Sequence, residues 1–397
     1  MIEIVFSMSW GFDPHLWRRV LNEEFNPQHR GQIRVKYQNF PFDKYHDDLQ
    51  RMFEGKGQRI DVIAGDAVWT AEFASKGWIA DLSGRFPQAM RQQFLPGTIQ
   101  TNTYQGKYWG VPWFTDVGLL YYRKDLLDKE GFFAPPQTWN ELKQIAKQVK
   151  KHTPGIQYGL VFQGAQNDGG VCNGLEYIWS HGGDVLDPQN PAQVIIGRPQ
   201  TVDGLTTERS MITEGVSPQK VDSFDEVQHA WPEFVEERAV FCRNWAFFYV
   251  DVPSPDHDLV RSQVEVAPMP AGAGGQGAGC LGGFNLFINN ASDAAHKDAA
   301  WQFIRFMTDA TTQKRRAINN VLPPTREAPY QDPDLTQQLP ITPRARVALD
   351  KARLRPVHRR YSEMSTAMAK QFTRCLKGQV TPAQAAQTLQ TSLSNIV

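Results

Sequence analysis

The sequence predicts an α/β fold made of two lobes that exchange segments of chain. Three observations carry this. Strand and helix patterns alternate through the first 65 residues, as in a βαβ unit with a mainly parallel sheet. The same alternation resumes after residue 117. Proline-rich breaks fall at three places: Val111-Pro112-Trp113-Phe114-Thr115-Asp116, Ala267-Pro268-Met269-Pro270 and Val321-Leu322-Pro323-Pro324-Thr325. A chain of 397 residues is long enough for two or three domain-sized cores. Three crossings place lobe 1 at 1–112 plus 269–323 and lobe 2 at 113–268 plus 324–397, with hinges near 112–116, 267–270 and 321–325.

The elements follow in order. Ile2, Ile4 and Phe6 alternate with Glu3, Val5 and Ser7, the period of a strand. Asp13-Pro14 reads as an N-cap followed by proline in the first helical turn. Leu16, Trp17, Val20, Leu21 and Phe25 then recur at helical spacing, and Asn26-Pro27 is expected to stop that helix. Ile33, Val35 and Tyr37 alternate as a second strand, a helix is expected from Phe42 to Glu54, and Asp61-Val62-Ile63-Ala64 is a short buried strand. Val117–Tyr122 is the next strand. Thr138-Trp139-Asn140-Glu141 is a capping box, ahead of Leu142, Ile145, Ala146 and Val149 on one helical face. Further strands are expected at 158–162, 239–243, 264–267 and 283–289, and helices at 293–308 and 382–394, the last behind the box Thr381-Pro382-Ala383-Gln384.

Composition excludes several classes. Lys plus Arg number 42 and Asp plus Glu 42, so the net charge is zero and no basic surplus points to nucleic acid. No apolar run approaches the roughly 18 residues that span a bilayer. The chain opens directly on a strand pattern, with no charged and apolar leader ahead of it. The protein is therefore either cytosolic or has lost a leader. Cys172, Cys242, Cys280 and Cys375 are far apart and form no CxxC, so a zinc or redox motif is unsupported. They allow three pairings, or none. Aromatics make up 11% of the chain, a supply that serves core packing or a stacking surface.

Gly272-Ala273-Gly274-Gly275-Gln276-Gly277 satisfies GxGxxG formally. It follows a proline pair and opens no apolar helix, so a flexible surface loop is the better reading than a dinucleotide site. Tyr121-Tyr122 would suit ferric iron, but neighbours on a strand face opposite ways, which favours core packing. Polar groups at strand ends are more telling, because ligands of open α/β sheets sit outside the carboxyl ends of strands. Asp66 follows the strand ending at Ala64; its plain alternative is a helix cap. Asp116 sits at the first break beside Trp113 and Phe114, or is a turn residue. Trp245, Phe247 and Phe248 follow the strand 239–243, or are core. Gly282-Gly283-Phe284 allows close backbone approach, or marks a bulge. Together they suit a sugar, whose hydroxyls meet carboxylates and whose C–H face meets aromatic rings.

These segments resemble the extracellular solute-binding proteins of carbohydrate ABC transporters, in particular the trehalose/maltose-binding type. The matching stretches are Asp61 to Phe73, Gly77-Trp78-Ile79-Ala80-Asp81-Leu82, Asp116 to Leu127, Pro136 to Leu142 and Val171 to Tyr177. Arg243-Asn244-Trp245, Leu281-Gly282-Gly283-Phe284 and Arg355-Pro356-Val357 with Tyr361 complete the set, spread in order along the chain. The resemblance implies a two-lobed periplasmic-binding-protein fold with discontinuous lobes, a hinge and a central cleft. It implies ligand contacts at Asp66, Asp116, Trp245, Phe247, Gly282, Gly283, Phe284 and Arg355. The segment Gly11-Phe12-Asp13-Pro14-His15 offers Asp13 or His15 where the family has an acid. The loop Phe40-Pro41-Phe42-Asp43-Lys44-Tyr45 departs from the disaccharide binders and adds Tyr45. The implied ligand is a neutral trehalose- or maltose-like disaccharide or related glucoside. The implied partners are the permease subunits of an ABC importer and, indirectly, its ATPase. A monomer is expected, periplasmic or extracellular and lipid-tethered, without cofactor, metal or catalysis. Two rivals are a glycoside-acting enzyme using Asp66 and Asp116, and a metal or polyamine binder using Tyr121, Tyr122 and the acids.

Overall fold

The computed structural model describes residues 1–9, 15–41, 44–249 and 263–397. It divides into two compact units, Met1–Thr115 with Gly282–Gln338 and Asp116–Leu281 with Leu339–Val397. The second and third crossings thus lie further along the chain than the breaks near 267–270 and 321–325. Hydrogen bonds give the reason. Ala271 N donates to Gln137 O at 2.8 Å and Gly272 N to Ser180 O at 2.9 Å, which keeps this tract with the second unit. Thr325 N donates to Gln313 Oε1 at 2.9 Å and Lys314 Nζ to Asp332 at 2.5 Å, which keeps 325–332 with the first.

The main strands are β1 (Ile2–Met8), β2 (Ile33–Asn39), β3 (Val62–Asp66), β4 (Val111–Arg123), β5 (Tyr158–Val161), β6 (Ala239–Trp245), β7 (Val264–Ala267) and β8 (Leu281–Ile288). In the first unit the order is β2-β1-β3-β8. β1 is parallel to β2 and β3, while β8 runs antiparallel to β3. In the second unit β4 is flanked by β6 and β7, both antiparallel, and β5 lies parallel beyond β6. The three strands of the first 65 residues are parallel as expected, and the sheets become mixed through the later antiparallel strands β8, β6 and β7. A strand buried along its length carries no alternation that reveals its partner's direction. All 13 residues of β4 are buried, and Pro112 to Asp116, expected to be a hinge, lie within it.

Local signals position the helices. Thr138 and Glu141 make both bonds of the capping box at the start of Trp139–His152, and Thr381 and Gln384 do the same for Pro382–Ser394. Asp293 caps Ala294–Met307. The predicted cap Asp13-Pro14 lies outside the described residues. Leu16–Val20 begins a helical run that widens by one residue per turn over Leu21–Phe25 and continues through Asn26–Gln28. Pro27 is thus taken into the first positions of the last turn instead of stopping the run. Asn26 clamps β2 instead, its side chain bonding Val35 O at 3.1 Å and Val35 N at 2.8 Å. The helix expected from Phe42 is described over Tyr45–Phe53.

The core of the first unit gathers Phe6, Trp17, Phe25, Trp113 and Phe303, with the rings of Trp17 and Trp113 4.7 Å apart. Trp17, Trp113, Trp139 and Trp179 are all fully buried, so packing accounts for these four tryptophans. The glycine-rich tract is packed rather than loose. A Cβ on Gly277 would lie 1.8 Å from Met269 O, and one on Gly275 2.1 Å from Ser180 O. Glycine is needed there for close approach, not for a flexible loop.

Candidate functional site

In the first unit, parallel strands β1, β2 and β3 end at Met8, Asn39 and Asp66, the carboxyl edge where α/β sheets receive ligands. Asp66 is half-buried, and its Oδ1 accepts from Val68 N at 3.1 Å, capping the turn Ala67–Trp69. The capping role weighed from sequence is present, and it fixes the carboxylate at the strand end. Phe284 of β8 stands opposite Asp66 in register, and its half-buried ring stacks on Phe114 at 5.3 Å. Gly283 has φ 110°, and a Cβ there would lie 2.4 Å from Phe114 O. Only glycine fits that approach without strain. Gly282 is buried, and its carbonyl accepts from Thr115 Oγ1 at 3.4 Å.

Tyr45 is placed differently from the expectation. It is 1% exposed, its hydroxyl shares a 3.0 Å hydrogen bond with Ser7 Oγ, and Phe40 stacks on it at 5.5 Å. The side chain belongs to the core because the helix Tyr45–Phe53 turns it inward with Leu49 and Met52. Trp69 was missed as a candidate. It is half-buried beside Asp66 and backed by His46 at 5.1 Å and Phe73 at 5.6 Å. Nothing in the sequence separates it from a core tryptophan. At the end of β2, the Tyr37 hydroxyl donates to Asn39 Oδ1 at 2.8 Å. His15 is exposed at the start of Leu16–Val20, and Asp13 lies outside the described residues.

In the second unit, Asp116 is buried and anchors the turn after β6. Its Oδ1 accepts from Ala246 N at 2.7 Å and from Val117 N at 2.8 Å, with Phe247 N as a further donor. Burial pushes its pKa up to about 7, against the pull of these amides and of the Arg243 charge. Trp245 and Phe247 are therefore held by the carboxyl. Trp245 is only 8% exposed, with the Arg243 guanidinium over its ring at 4.2 Å. Phe247 is the more open of the two, half-buried, its ring 4.5 Å from Phe248.

Arg243 is in turn fixed by Glu176. Both side chains are 1% exposed, with Nε to Oε2 at 2.8 Å and Nη2 to Oε1 at 2.5 Å. Gln163 Oε1 takes Nη1 at 2.8 Å. A buried bidentate pair with every arm occupied is a rigid support. Arg355 is buried and pairs with Asp168, which also accepts from the Tyr361 hydroxyl at 2.8 Å and from Ser365 Oγ at 2.6 Å. Its partner is thus Asp168, a residue that sequence reading had not singled out.

Tyr121 is fully buried and its hydroxyl donates to Trp245 O at 2.7 Å, the core position expected. Among the described residues no group of three or more His, Cys, Asp or Glu is arranged to hold a metal ion. No helix among them is long and apolar enough to cross a membrane.

Residues 15–314 match the family model described as bacterial extracellular solute-binding protein. The chain belongs to this family. A probable ABC transporter-binding protein of Deinococcus radiodurans is 32% identical over 357 residues, covering 87% of this chain and 82% of the relative. The maltose-bound structure of T. maritima MalE3 is 35% identical, with a TM-score of 0.90 and full coverage of both chains. An ABC transporter solute-binding protein of Thermotoga lettingae TMO, bound with α-D-tagatose, superposes at a TM-score of 0.86 over the whole of both chains. At 23% identity it shares the fold alone. The family's two-lobed α/β binding-protein fold is the fold of this chain.

Proposed function

We propose that the protein binds a neutral sugar and delivers it to the permease of an ABC importer, without breaking a bond. The observation that carries this reading is the 35% identity, over the full length of both chains, to a protein solved with maltose bound. Membership of an extracellular family supports a periplasmic or extracellular location. The proposed ligand is a trehalose- or maltose-like disaccharide or related glucoside. Its hydroxyls are taken by Asp66, His15 and the backbone at Gly282 and Gly283. Its ring faces meet Phe284, Trp69 and Phe247. Asp116, Trp245 and Arg355 hold the second-unit contacts in place. The liganded form is then what the permease recognises.

A thermal-shift screen over trehalose, maltose, monosaccharides, trisaccharides and polyol glucosides tests the reading. Saturation at 100 to 1,000 times Kd stabilises the folded chain by about 2.7 to 4.1 kcal/mol, so one member of the panel raises Tm. A panel in which no saccharide moves Tm would overturn it. Sugar released from a glycoside on incubation with the protein would show an enzyme instead.

A further inference from the structure

We propose that Asp168 makes the second unit refuse acidic sugars such as uronates, by neutralising Arg355 and offering a carboxylate in its place. The proposal rests on the sugar-binding reading above and names the residue that sets its preference for uncharged ligands. Placement carries the first part of the argument. Asp168 opens the helix Asp168–Ser180, which follows β5, and β5 runs parallel to β6, so the helix begins at the edge where β6 ends in Trp245. Gln163 ties the connection to both. Its Nε2 donates to Arg243 O at 2.7 Å, and its Oε1 accepts from Asn173 Nδ2 at 2.8 Å. Arg355 reaches the same edge from another part of the chain. Gly118 of β4 pairs with Trp245 of β6, and Gly118 N donates to Cys280 O at 3.1 Å. Leu281 N in turn donates to Arg353 O at 2.8 Å and Arg353 N to Gly279 O at 3.0 Å, so the chain leading to Arg355 runs beside 279–281.

The helix then carries two acids, about two turns apart, each paired with an arginine. The pair of Glu176 and Arg243 is 1% exposed on both sides and presents no charge to solvent. The pair of Asp168 and Arg355 is asymmetric: the arginine side chain is 3% exposed and the aspartate 40%. Arg355 Nη1 meets Asp168 Oδ2, while the hydroxyls of Tyr361 and Ser365 donate to Oδ1 at 2.8 and 2.6 Å and hold the carboxylate in place. A ligand that reaches this pair meets the carboxylate, with the guanidinium behind it. Sugar hydroxyls donate to such a group. An acid group on the sugar meets a like charge and is repelled. Without the Asp168 carboxylate the same place carries the Arg355 charge, and a guanidinium draws carboxylates to it. One side chain thus decides the sign of the charge that the sugar meets.

Calorimetric titration of the full chain tests this. The probes are the saccharide that raises Tm most in the thermal-shift panel, maltose in the first instance, and its uronate, the same sugar with one C6 hydroxymethyl group oxidised to a carboxylate. In the unsubstituted protein the uronate binds about tenfold more weakly than the neutral sugar or worse. Raising NaCl from about 20 to 500 mM narrows that gap, because salt screens the repulsion. In Asp168→Asn the uronate gains about tenfold on the neutral sugar, and salt now weakens its binding. Asp168→Glu restores the original order. A purely structural role for Asp168 would shift both sugars together. Equal affinities in the unsubstituted protein, or a uronate affinity there that falls with salt, overturns the proposal without any variant. A ratio unmoved in Asp168→Asn, with the neutral sugar still bound, also overturns it and leaves the sugar-binding reading standing. An unsubstituted protein that binds no saccharide of the panel overturns both.

Discussion

Glu208 sits on the helix Pro199–Thr213 at 1% exposure, and neither carboxyl oxygen finds a hydrogen-bond partner among the described residues. The Tyr177 hydroxyl is in the same position. Burial, with a smaller push from the Glu176 charge, raises the Glu208 pKa from 4.5 to about 8. The unfolded chain releases this proton near 4.5 and the native chain near 8, so folding takes up a proton between those values. Stability therefore falls as pH rises through that window. At about 1.36 kcal/mol per pH unit the loss is roughly 3 kcal/mol by pH 7 and on the order of 5 kcal/mol above pH 8. Glu208→Gln keeps the shape and cannot ionise. Urea unfolding of both proteins from pH 4.5 to 8.5, followed by tryptophan fluorescence, reads the difference. The variant gains on the parent steadily as pH rises. Asp116, raised from 3.8 to about 7, adds a loss of the same sign that levels off about one pH unit above that value. Both proteins carry Asp116, so between pH 7 and 8 the difference in slope between them belongs to Glu208. Parallel profiles for parent and variant across that last interval would refute the assignment of a buried neutral acid.

Three further substitutions probe the site. Gly118→Ala places a Cβ 2.0 Å from Glu176 Oε1 and 2.5 Å from Arg243 Nη2, and splitting that buried pair should cost about 3–5 kcal/mol in urea unfolding; a loss under 1 kcal/mol would mean the pair is not a rigid support. Asp66→Ala removes a cap worth about 1 kcal/mol from the unliganded chain. Calorimetry should show sugar affinity falling at least tenfold, and an unchanged affinity would leave Asp66 as a cap only. Phe247→Ala should weaken sugar binding by about 2 kcal/mol with Tm nearly unchanged. Trp245→Ala should instead lower stability itself, by about 3–5 kcal/mol, because the ring is nearly buried under Arg243; the reverse order of effects would exchange their roles.

Much of the architecture was legible because it rests on local chemistry. The boxes at Thr138 and Thr381, the cap at Asp293 and the alternation in β1 and β2 each act within a few residues. Other elements were silent. In the helix Asp168–Ser180 every residue from Gly170 to Ser180 is buried, so it shows no polar face and no helical period. Asp66, Phe284 and Phe247 could be picked out because each follows or ends a recognisable strand. Trp69 and Asp168 could not, since partial exposure and a distant partner leave no mark on a sequence.

The amino-acid order alone determined the α/β class, the carboxyl-edge positions and the resemblance to sugar-binding transport proteins, since periodicity, caps and segment order are properties of neighbours along the chain. Only the tertiary structure decided that Tyr45 packs inward, that Arg355 meets Asp168, and that Arg243 and Glu176 hold Trp245. Those outcomes join residues far apart in sequence. Burial, charge pairing and hydrogen bonding exist for such groups only once the chain has brought them together.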